Sequence, residues 1–66
     1  MKSLNSREIL KDLKADGWQV ARIKGSHHML RHPEKPGLIT VPHPKRKMHP
    51  KTVAGIYKAA GLPVPK

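Results

Sequence analysis

Turn chemistry divides residues 18–42 so closely that only short strands fit between the breaks. Lys24-Gly25-Ser26 ends one run, Pro33-Glu34-Lys35-Pro36-Gly37 ends a second, and Pro42 ends a third. Glycine takes a positive φ without steric cost, proline fixes its own φ and lacks a donor, and serine favours turns. Between these breaks lie Trp18–Ile23, His28–His32 and Leu38–Val41, and the first and third are rich in β-branched or aromatic residues. Strands this short, joined by connections of only a few residues, cannot form crossovers, so the pattern predicts an antiparallel three-stranded meander.

A helix is predicted on each side of the meander. Asn5 and Glu8 have the spacing of an N-cap and its reciprocal partner. Ile9, Leu10 and Leu13 then form an apolar stripe, while Arg7, Lys11, Asp12 and Lys14 face outward. This predicts a helix over about residues 6–15, stopped by Gly17 in the left-handed region. Pro50 suits the first turn of a second helix, because its missing N–H would have no intrahelical partner there. Val53, Ile56, Tyr57 and Ala60 recur at i, i+3, i+4 and i+7, and Gly61 ends the pattern. The order is α-β-β-β-α, an α+β class with both helices on one sheet face. No internal repeat or second domain is evident, and residues 1–66 are expected to form one domain.

Size and charge narrow the function. A 66-residue chain buries only about 60% of its extended surface, leaving no room for a deep substrate cavity. Fourteen Lys and Arg against four Asp and Glu give a net charge of +10, spread along the chain. That balance favours nucleic acid over a membrane surface or an acidic protein. Trp18 and Tyr57 are the only aromatic side chains besides histidine, too few to stack successive bases, so recognition through backbone and shape is expected. Cysteine is absent, which excludes a disulfide scaffold and fits a reducing cytoplasm. No apolar run approaches the roughly 18 residues of a membrane span, and no leader pattern is evident, so neither export nor membrane insertion is expected.

The five histidines raise the question of a metal. His28 and His32 would chelate on a helix, but on a strand they lie about 13 Å apart, too far to share one ion. No metal site or other cofactor is expected. His32 and His49 are read as solvated side chains, and His43, between two prolines, as a brace for its loop. His28 shares strand parity with Leu30 and leans toward the packed face. His27 shares parity with Met29 and Arg31 on the open face, directly after the turn Gly25-Ser26. Residue types alone leave His27 either catalytic or merely solvated. Lys45-Arg46-Lys47 runs toward the start of the second helix, where the helix dipole and unpaired N–H groups favour anions, and Lys51 adds to it. These four are candidate phosphate contacts.

The chain resembles the HicA toxins of HicAB toxin–antitoxin systems. The similarity runs through Asp16-Gly17-Trp18, Lys24-Gly25-Ser26-His27-His28 and Arg31-His32-Pro33, then Leu38-Ile39-Thr40-Val41-Pro42-His43-Pro44 and Ala59-Ala60-Gly61-Leu62. No single motif decides it, but together they cover nearly the whole chain in order. Leu30 stands where family members often carry an aromatic residue, a difference expected to affect packing beneath the site. The resemblance implies a double-stranded-RNA-binding-domain-like α-β-β-β-α fold and a ribonuclease that cleaves mRNA until its HicB antitoxin neutralises it. The family's catalytic histidine follows the Gly-Ser pair, which here selects His27.

The chemistry expected of such a site is simple. RNA carries its own nucleophile, the 2′-hydroxyl, so a small domain needs only a base, cations against the phosphate and a grip. His27 can serve as the base. Arg22 and Lys24 are the nearest cations for the phosphate oxygens. A non-catalytic RNA-binding module of the same fold would use the same basic surface but has little need of His27. A ribosome-associated structural protein is a third reading of the same size and charge.

Overall fold

The computed structural model describes residues 5–65, in the order helix α1 (Ser6–Ala15), strands β1 (Gln19–Lys24), β2 (His27–Arg31) and β3 (Ile39–Pro42), and helix α2 (Pro50–Ala59). The strands form one antiparallel sheet in the order β1-β2-β3, so the α-β-β-β-α architecture anticipated from the turns is the one observed.

Both helices begin and end as their residue types dictate. Asn5 caps α1, its Oδ1 accepting the Glu8 N–H at 2.9 Å. At the other end Gly17 takes φ +107°, and the Gly17 and Trp18 N–H groups donate to the Lys14 and Leu13 carbonyls at 3.0 Å each. That pair of bonds is a Schellman motif. Helix α2 ends in the same way: Gly61 takes φ +71°, and Gly61 and Leu62 donate to Lys58 and Tyr57. Pro50 occupies the first turn, and the N-cap before it is His49, whose ring accepts the Lys51 N–H at 3.1 Å.

Each strand lies one residue C-terminal or N-terminal to its expected span. Trp18 is excluded from β1 because its N–H is committed to the end of α1. In the hairpin Lys24 pairs with His27 across Gly25-Ser26, so β2 begins at His27 rather than His28. Its last residue is Arg31, because His32 turns its ring to other partners. Strand β3 lies at a sheet edge and tolerates Pro42 at its end. A bulge at Ala21 restores the register between Val20↔Leu30 and Arg22↔Met29.

The core lies between the helices and one face of the sheet. Ile9 and Leu13 of α1, Leu30 and Val41 of the sheet and Val53 of α2 are wholly buried, with Trp18, Ile39 and Tyr57 closing round them. Burying an aliphatic side chain contributes about 1.5–3 kcal/mol, and this set supplies most of the fold's driving force. Met48, within the basic loop, also enters the core and fixes where that loop descends. The Tyr57 hydroxyl donates to Asp12 Oδ2 at 2.5 Å, tying α2 to α1, and burial followed by that bond pushes its pKa well up. Because both helices lie on one side, the other sheet face is open.

Candidate functional site

The open face and the hairpin at its end carry the candidate residues. Residues directly opposite in an antiparallel pair point to the same side. The pairs Lys24↔His27, Arg22↔Met29, His27↔Pro42 and Met29↔Thr40 therefore place Arg22, Lys24 and His27 together on the open face. His27, Lys24 and Arg22 are all exposed. Gly25, at φ +57°, and Ser26 form the two-residue turn, and nothing approaches within 4 Å of where a Cβ on Gly25 would lie. Among the described residues, no carboxylate forms an ion pair with Lys24 or Arg22.

Behind this face lies a second histidine layer. His28 is half-buried on the packed side, as its parity with Leu30 requires, and its ring meets that of His43 edge-on with centroids 4.9 Å apart. His28 Nδ1 is buried with no hydrogen-bond partner among the described residues. The His43 N–H donates to the Ser26 carbonyl at 2.6 Å, which fixes the hairpin turn to the chain leaving β3. The Nδ1 of His43 is 2.7 Å from the Oγ of buried Ser6, so the expected brace exists and is anchored on α1.

The basic loop departs furthest from its expected surroundings. Lys45, Arg46 and Lys47 are exposed, but the loop is fastened to the start of α1. Ser6 N–H donates to the Lys45 carbonyl at 2.8 Å, and Lys45 N–H donates to Ser6 Oγ at 2.8 Å. Lys45 and Arg46 consequently share a concave surface with Arg7. Lys51 stands apart, exposed in the first turn of α2. The pattern of the chain held no sign of the Ser6 anchor, because a serine at the start of a helix reads as ordinary capping chemistry.

His32 corrects the expectation of a solvated side chain, since only 7% of its side chain is exposed. Its Nδ1 accepts the Glu34 and Lys35 N–H groups at 3.0 and 3.1 Å, which leaves the proton on Nε2 to be donated to the Asp16 carbonyl at 2.7 Å. Its ring also meets Trp18 edge-on at 5.3 Å. Beside it, Lys35 Nζ donates to Asp16 Oδ2 at 2.6 Å and to the Ala60 carbonyl at 2.9 Å, so one cation bridges the C-cap carboxylate of α1 and the C-terminal end of α2. The Lys35 hydrogen bond, supported by its charge, holds the Asp16 carboxyl below its usual range. His49 is exposed as expected but serves as the N-cap of α2. Among the described residues no three His, Asp or Glu side chains form a metal-binding group.

The family model of the HicA toxin of bacterial toxin–antitoxin systems matches residues 6–62. The chain belongs to the HicA toxin family. None of the curated proteins matches it. Membership of a toxin–antitoxin family brings with it a toxin role and an antitoxin partner. The matched region runs from the first residue of α1 to the Leu62 that closes the C-terminal cap of α2, and so includes the hairpin, the basic loop and both anchors. No described helix of this HicA chain is long and apolar enough to cross a membrane.

Proposed function

We propose that this single-domain chain is a metal-independent endoribonuclease that cleaves mRNA in the cytoplasm and is neutralised by a HicB antitoxin. The observation that carries the proposal is an exposed imidazole, His27, on the same open face as Lys24 and Arg22, with a two-residue turn beside it. His27 takes the proton of an RNA 2′-hydroxyl, a role typically worth about 10²–10⁴-fold in rate. The 2′-oxygen attacks the adjacent phosphorus, the bond to the 5′-oxygen breaks, and that oxygen leaves to be protonated. Lys24 and Arg22 offset the charge that builds on the non-bridging oxygens. The products are a 2′,3′-cyclic phosphate and a 5′-hydroxyl. Lys45, Arg46, Lys47 and Lys51 hold flanking phosphates, and the antitoxin covers His27 and the basic face.

Purified protein incubated with RNA in excess EDTA tests both base and nucleophile. Cleavage is expected to persist in chelator, to disappear with a substrate carrying a 2′-deoxy sugar at the cut, and to disappear in His27→Ala with the thermal melt unchanged. Activity lost in EDTA and restored by a divalent ion would refute the mechanism. A His27→Ala protein that still arrests growth would remove the catalytic assignment, and sound binding without cleavage would leave a non-catalytic RNA-binding module.

A further inference from the structure

Two concave surfaces meet on the outer side of α1, away from His27 and its neighbours on the open face. One, of about 410 Å³, is lined by Ser6, Arg7, His43, Lys45 and Arg46 among others. The other, of about 380 Å³, is lined by Arg7, Leu10, Lys11, Lys14 and His43. They share Arg7 and His43 and so are neighbours, together making the grooved surface of this helix. Arg7, Lys11 and Lys14 lie at i, i+4 and i+7, a stripe along one side of the helix that spans about 10 Å of axis. All three are exposed, as are Lys45 and Arg46.

From these observations we infer that the groove across α1 is a second track for the RNA backbone, with Arg7, Lys11 and Lys14 binding phosphates of nucleotides flanking the cleaved bond. The inference rests on the reading of the chain as acting on RNA. Three features favour phosphate over another ligand. Neither cavity has a carboxylate in its lining, while together they carry five Arg and Lys side chains. Neither has an aromatic residue for base stacking beyond the His43 ring, and the only large apolar side chain, Leu10, is 7% exposed. Apart from Leu10, Pro44 and the aliphatic stems of Lys and Arg, the lining is polar or cationic, which complements a polyanion. The groove is also mechanically joined to the hairpin. His43, common to both cavities, donates its N–H to Ser26, the residue before His27. A strand held along α1 is therefore registered against the base.

The test measures equilibrium binding in the His27→Ala background, so that no RNA is cut, using a single-stranded oligonucleotide long enough to span hairpin and groove. Arg7→Gln, Lys11→Gln and Lys14→Gln are each expected to reduce the slope of log K against log salt by about 0.7, the value for one lost single-strand phosphate contact. Lys58→Gln removes the same charge from an exposed position that lines neither cavity and is expected to leave the slope unchanged. Equal slopes for Lys11→Gln and Lys58→Gln would overturn the inference and show that only net charge matters. Groove variants that keep the RNA slope but bind the antitoxin more weakly would overturn it in favour of a protein partner. Neither outcome touches the cleavage reading, which stands or falls with His27.

Discussion

His32 shows how far one side chain can differ from the role its residue type suggests. With Nδ1 accepting two loop N–H groups and Nε2 donating to the end of α1, it fastens the β2–β3 connection to a helix terminus. Its removal leaves three backbone groups without their partner and Trp18 without its edge contact. His32→Ala is therefore expected to cost about 2 kcal/mol or more, a fall in Tm of roughly 8–16 °C for a domain this small. A thermal melt decides it, because a solvated histidine would change stability by less than about 0.5 kcal/mol. The role was hidden in the sequence because it depends on Asp16, sixteen residues away, and on a loop conformation that no local spacing encodes. His27 was legible for the opposite reason. Its place follows from strand parity and one two-residue turn, both local properties.

At the level of elements, caps and turns made the architecture readable, and the same caps explain the one-residue shifts in strand ends. Gly17 stopped α1 as expected, and the bond it allows from Trp18 to Leu13 removes Trp18 from β1. The two glycines flanking β1 also differ in a way the sequence conceals. A Cβ on Gly17 would lie 2.8 Å from His32 Nε2, the atom that bonds Asp16, at a φ of +107° that side chains rarely adopt. A Cβ on Gly25 would meet nothing within 4 Å. Gly17→Ala is expected to cost about 2–4 kcal/mol by combining backbone strain with a displaced histidine, and Gly25→Ala only about 1 kcal/mol from the left-handed backbone. Denaturant titration of the two variants measures both, and equal losses would show that the contact with His32 adds nothing. The bulge at Ala21 had no comparable signal, since alanine is not a residue that marks bulges.

Over the whole molecule, three segments distant in sequence converge on Ser6: the start of α1, the loop at 43–45 and, through His43, the hairpin before His27. Ser6 is 1% exposed and bonds Lys45 twice, once through its backbone and once through Oγ, while Oγ also meets His43 Nδ1. A separation of 37 to 39 residues put this junction beyond any pattern of spacing, although each participant was visible separately as a helix start, a basic loop and a bracing histidine. The consequence is a basic loop whose backbone is fastened to α1, while the Lys45 and Arg46 side chains stay exposed to solvent. Ser6→Ala keeps the backbone bond but leaves the Lys45 N–H and His43 Nδ1 unpaired at a part-buried site. Leaving one buried polar group unsatisfied costs about 1–3 kcal/mol, so the variant is expected to lose about 2 kcal/mol and roughly 8–16 °C in Tm. The loosened loop is also expected to weaken RNA binding, although every charge is retained, because Lys45 and Arg46 are no longer held beside Arg7. Binding assayed below the lowered melting point separates this from simple unfolding. An affinity equal to the parent's would show that the cations act as a diffuse positive field, without need of the junction that places them.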